Sequence, residues 1–139
     1  KFNNNRLMDG VVYRKGLDVY VRLGKPPESF KWAMQAGPML VIDGESPFLK
    51  IKSDKYSRRM VAAEEVTGSL YLFVIFGDES VYNGPLLADL PKLMKEIGDE
   101  LGIEWKNAIN LDGGSASAFI GDGLIIEERT WIGSALCVK

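Results

Sequence analysis

Asn110-Leu111-Asp112-Gly113-Gly114-Ser115-Ala116-Ser117 puts one carboxylate, two adjacent glycines and two hydroxyls into eight residues. Apolar chain flanks it, with Ala108-Ile109 before and Phe119-Ile120 after. A polar, glycine-rich turn between apolar runs reads as a strand entering and a strand leaving a tight loop. Glycines let the backbone take positive φ and approach a ligand closely. The N–H groups of such a loop can hold an anion. The loop therefore suits an aspartate that meets a phosphorylated or hydroxyl-rich substrate. Asp-Gly and Gly-Gly are also the commonest hairpin signals, and most such turns do no chemistry. The rest of the chain has to decide.

Working outward, residues 103–110 read as the strand that delivers Asp112. Before it lies the one strong helical pattern. Leu90, Leu93, Met94, Ile97 and Leu101 recur at three- and four-residue steps and form one apolar stripe. Asp89 suits the N-cap, Pro91 the first turn and Gly102 the stop. Residues 70–76 are apolar on both faces, which predicts a strand at the centre of a covered sheet. Residues 17–23 alternate with the period of a half-buried strand. Val11-Val12-Tyr13, residues 39–42 and residues 60–63 read as further strands, with a hairpin tip at Asp43-Gly44. Residues 30–34 read as a short helix or an irregular segment. Residues 50–58 read as an exposed basic stretch. After the loop, Gly121-Asp122-Gly123 signals a hairpin, and residues 132–138 read as a closing strand with Cys137 buried in it. Many strands and one helix predict an α+β domain over residues 1–139. Its expected architecture is a mixed, mostly antiparallel twisted sheet packed with one main helix, about 89–102.

Composition narrows the chemistry. The chain has 139 residues, 46% hydrophobic and 26% charged, with net charge −2. No Lys/Arg cluster extends beyond Arg58-Arg59 and its neighbours, so nucleic acid is not the expected partner. A small phosphorylated substrate needs only one or two cations and stays allowed. The absence of histidine excludes Ser-His-Asp triads and His metal sites. One cysteine allows no internal disulfide. No apolar run approaches the roughly 20 residues of a membrane helix.

Several landmarks occur in a telling order: Gln35-Ala36-Gly37-Pro38-Met39-Leu40 with Asp43-Gly44, then Arg58-Arg59, Gly77-Asp78, the helix, Asn110-Leu111-Asp112-Gly113-Gly114, and Glu128-Arg129. This order resembles the phosphodiester glycosidase family over nearly the whole chain. The resemblance implies a hydrolase that cleaves a sugar-1-phosphate diester, or a polysaccharide carrying one, into free sugar and a phosphomonoester. It implies Asp112 as nucleophile, base or metal ligand. Asp78 and Glu128 are candidates for a second carboxylate. Gly113, Gly114, Ser115 and Ser117 would bind phosphate or sugar oxygens. Arg129 and one of Arg58 or Arg59 would neutralise the phosphate, and Gln35 and Gly37 would line the sugar. A hard cation, Ca²⁺ or Mg²⁺, could be shared by Asp112 and Asp78. Many bacterial members are envelope proteins linked to exopolysaccharide, which implies an extracytoplasmic setting.

Two departures stand out. The family usually continues with Gly-Ser-Ser, where this chain has Ser115-Ala116-Ser117. Family domains also carry strands before the segment matching Phe2, and this chain begins with Lys1. The expectation is a domain lacking those strands: either a minimal member, or one whose sheet a second chain or a homo-oligomer completes. The alternatives are a non-catalytic carbohydrate-binding or envelope module, or one half of a processed enzyme. Each site residue also has a bland reading. Arg129 would pair with Glu127-Glu128 on the surface, one of Arg58-Arg59 would be solvated, Asp78 would end a strand, and Gln35 would cap a turn.

Overall fold

The computed structural model describes residues 5–121 and 123–137; Asp122 of the expected hairpin, Phe2 and Val138 lie outside them. The class is α+β, as expected. The strands are β1 (Gly10–Lys15), β2 (Asp18–Leu23), β3 (Trp32–Ala36), β4 (Met39–Val41), β5 (Arg59–Glu65), β6 (Leu70–Ile75), β7 (Trp105–Gly113), β8 (Phe119–Gly121) and β9 (Leu124–Ile126). The helix α1 (Leu90–Leu101) follows a 3-10 turn, Leu87–Asp89. All described strand pairs are antiparallel. They form a three-stranded sheet in the order β2-β1-β3, a four-stranded sheet in the order β4-β7-β5-β6, and the β8-β9 hairpin.

The four-stranded sheet is the middle layer. On one face Val61, Ala63, Trp105 and Ala108 pack against Leu90 and Met94 of α1. On the other face Ala62 and Ile109 meet Val12, Val21 and Ala36 of the three-stranded sheet. This double coverage explains why β5 is buried from Arg59 to Glu64. It also explains β6. Tyr71, Phe73 and Ile75 pack on the helix side, while Leu70 and Leu72 pack on the other. Both faces are covered, as its composition predicts, yet β6 is an edge strand and not a central one.

Other expectations need correction. Residues 32–36 are a strand, held by pairing of Trp32 through Ala36 along β1. Asp89 occupies the N-cap position without a side-chain cap bond. Asp54, distant in sequence, takes that role for the preceding turn by accepting the N–H groups of Leu87 and Ala88. Leu101 ends the apolar stripe exposed. No strand forms over residues 132–137, and Cys137 is exposed. No helix among the described residues is long and apolar enough to cross a membrane.

Candidate active site

The aspartate loop begins inside the sheet. β7 runs antiparallel to β5 as far as Gly113, which stands opposite Arg59, and Asp112 stands opposite Met60. A register shift between Met60 and Val61 leaves Leu111 as an extra residue. Such a bulge re-aims the side chains that follow it. Asp112 emerges exposed where Asn107 through Asn110 are buried. Its Oδ1 accepts the Gly113 N–H at 2.7 Å. Its Oδ2 has no hydrogen-bond partner among the described residues.

The two glycines do different work. Gly113 has extended backbone, but a Cβ there would lie 2.3 Å from the Arg58 carbonyl oxygen. Gly114 takes φ +69 and donates its N–H to that same carbonyl at 2.9 Å. Both N–H groups are thus committed within the protein. The loop closes through Ser117, whose hydroxyl donates to Gly114 O and accepts from Arg58 Nε.

Arg58 is fully buried and Arg59 is 9% exposed, so the expectation of a solvated arginine is overturned for both. The basic segment turns inward at its end because folding supplies carbonyls there. Arg58 Nη2 donates to the carbonyls of Ser117 and Glu127, and Nη1 points at Val81 O. Burial lowers the Arg58 pKa, with Tyr82 and Glu128 opposing that shift and Arg129 adding to it. Arg59 Nε donates to Pro85 O, and its Nη2 reaches Lys55 O and Asp54 Oδ1. Burial lowers the Arg59 pKa too, while the charges of Asp54 and Asp112 raise it. Asp112 therefore lies within electrostatic reach of a nearly buried guanidinium.

Arg129 is exposed, and its guanidinium lies 3.6 Å from the centroid of the Tyr82 ring. Arg58 sits 5.1 Å from the same ring. Ser115 O accepts the backbone N–H groups of Arg129 and Thr130, so the segment carrying Arg129 is tied to the aspartate loop. Tyr82 comes from the 77–83 loop, closed by Gly77 N–H to Asn83 O. Asp78 lies exposed in that loop, and no described hydrogen bond joins it to Asp112. Glu128 is exposed beside Arg58. Among the described residues, no group of three or more His, Cys, Asp or Glu side chains could hold a metal ion.

The Gln35-Ala36-Gly37-Pro38 turn meets the aspartate motif at Asn110. Gly37 takes φ +154 before a cis peptide to Pro38. Its N–H donates to Asn110 O, Asn110 N–H donates to Pro38 O, and Asn110 Nδ2 donates to Gly37 O. Asp9 Oδ1 accepts the Met39 N–H, and a Cβ on Gly37 would collide with Leu7 O. Gln35 Nε2 donates to Met8 O.

The two most distinctive sequence motifs are thus one structural unit. Residues 3–138 match the family model described as phosphodiester glycosidase. The chain belongs to the phosphodiester glycosidase family. No curated protein matches it. In this family member, Asp112, Ser115, Ser117, Arg58, Arg59, Glu128 and Arg129 converge on one end of the β5-β7 pair. Gly37 reaches the same strand through Asn110, while Gln35 bonds to Met8 O. Tyr82, Asp54, Asp9 and Asn110, which support the loop and its arginines, were not among the expected site residues. Only Asn110, the first residue of the aspartate motif, carried a local signal.

Proposed function

We propose that this domain hydrolyses sugar-1-phosphate diesters. The anomeric carbon–oxygen bond breaks, water supplies the new sugar hydroxyl, and the phosphate leaves as a monoester. The observation that carries the reading is the exposed Asp112 carboxylate, oriented by the Gly113 N–H and lying within electrostatic reach of Arg59.

A phosphodiester oxygen is already a good leaving group, so strong general-acid help is less needed than for an ordinary glycoside. The transition state needs a carboxylate near the developing oxocarbenium ion and stabilised charge on the phosphate. Asp112 serves the first need. Arg129 serves the second: its exposed guanidinium lies against Tyr82 and would offer paired N–H donors to the phosphate. Arg58 and Ser117 act by holding the loop, since their polar atoms bond within the protein. Glu128 is the preferred candidate for a second carboxylate, because its charge acts on Arg58, which holds the aspartate loop.

The test is turnover of a panel of sugar-1-phosphate diesters by the wild type and by Asp112→Asn, with sugar and phosphomonoester both quantified. Loss of about 10²–10⁴-fold in kcat in the variant is expected. The anomer first released then separates a nucleophile, which retains configuration, from a base, which inverts it. A folded wild type that turns over no diester, or an undiminished Asp112→Asn, overturns the proposal.

A further inference from the structure

At the far end of the same strands lies a cleft. Glu64 pairs with Asn107 there, whereas Arg59 pairs with Gly113 at the aspartate loop. Strand rise puts the two ends about 16 Å apart along β5. The far cleft has a volume of about 310 Å³ and sits between the three-stranded and four-stranded sheets. That is the low end of the range for small-molecule sites.

One wall is aromatic. Tyr13 and Tyr20 are cross-strand partners on β1 and β2, and their rings stack with centroids 5.3 Å apart and planes 24° apart. The opposite wall is polar and fixed. The Glu64 side chain is 3% exposed, accepts the Val21 N–H at 2.9 Å, and pairs with Lys106 Nζ at 3.0 Å. Asn107 is buried, and its Oδ1 accepts the Asp43 N–H at 3.0 Å, leaving the amide nitrogen as a donor.

The charges select the ligand class. Arg22 and Lys106 are balanced by Asp43 and Glu64, so the cleft carries no net charge. A phosphate or other anion is not favoured in a balanced cleft. A neutral, polyhydroxylated ring is favoured: its C–H face packs on the tyrosines while its hydroxyls meet Asn107, Asp43 and Lys106. We infer that this cleft is a binding site for a neutral saccharide unit, separate from the Asp112 loop.

The inference does not require turnover at Asp112, and the experiment keeps the two apart. Chemical-shift titration of the Asp112→Asn protein with cellotetraose, maltotetraose and chitotetraose is the test. Millimolar binding of at least one probe is expected, with shifts centred on residues 13, 20, 43 and 107. Tyr20→Ala lies on an edge strand and should weaken that binding by about tenfold, the effect of losing an aromatic anchor. Lys106→Met is the second variant; it alters the polar wall without touching the tyrosines and should also weaken binding. Absence of binding by all three probes, binding unchanged in both variants, or shifts centred on residues 112–117 would each overturn the inference.

Discussion

Asn110 grips Gly37 twice: its carbonyl accepts the Gly37 N–H at 2.9 Å, and its Nδ2 donates to the Gly37 carbonyl at 3.0 Å. The side-chain Oδ1 is buried without a partner among the described residues. Asn110→Ala removes one good bond and one unsatisfied oxygen together, so it should cost only about 1 kcal/mol in urea unfolding. Asn110→Asp should cost more at pH 7, because it faces a buried carboxylate toward a carbonyl. That excess should shrink in acid, where the protonated carboxyl can donate to Gly37 O. Equal costs at both pH values would contradict this account of the clamp.

Arg58 stitches three distant segments to β5. Arg58→Lys cannot reproduce the fork that reaches Ser117 and Glu127. A loss on the order of 3 kcal/mol is expected, from charge-assisted bonds and the carbonyls left unpaired. Hydrogen exchange should rise at residues 114–117 and 127–130 before the rest of the chain. Uniform change in exchange would show that Arg58 does not hold the loop.

Gly113 and Gly114 should fail for different reasons. Gly114→Ala carries the left-handed penalty, about 1–2 kcal/mol, and sets a Cβ 3.1 Å from the Ser57 hydroxyl, a side chain that can turn away. Gly113→Ala meets no torsional strain but drives a Cβ into the Arg58 carbonyl, so β5 and β7 must separate. Its cost should be larger, about 1–3 kcal/mol or more. Denaturant midpoints of the two variants check the order.

Asp54 gives a pH signature. Burial would raise its carboxyl, but the N–H groups of Ala88, Leu87 and Lys55 and the Arg59 charge hold it below the ordinary 3.8. The unfolded chain then takes up the proton first, so this contribution is present above 3.8 and lost as pH falls through the folded value. Asp9 has the opposite sign: burial raises its carboxyl, with the Met39 N–H opposing, so its contribution is lost as pH rises through the folded value. Asp54→Asn should therefore be less stable than wild type at pH 7, with the gap narrowing toward pH 3. A gap that widens in acid would refute the assignment.

Local chemistry was readable along the chain. The stripe from Leu90 to Ile97 placed α1, the alternation in residues 17–23 placed β2, and Asn110 through Gly114 placed the loop and the family. Helical period, strand alternation and turn glycines are properties of neighbouring residues, so no distant partner is needed to see them. Burial of Arg58 and Arg59 was not readable, because their acceptors lie on Ser117, Glu127, Val81, Pro85 and Asp54. A basic run looks solvated until folding brings those carbonyls to it. The position of β6 was hidden for a related reason: its composition reports that both faces are covered, not that both edges are paired. The sequence by itself determined the helix, most of the strands, the loop that carries Asp112 and the family, while β3 formed where a helix or irregular segment was expected and the closing strand did not form over residues 132–137. Only the tertiary structure decided which charges are buried, which glycine bends and which merely makes room, and that a neutral tyrosine-walled cleft lies at the other end of the strands, because each depends on contacts between segments far apart in the chain.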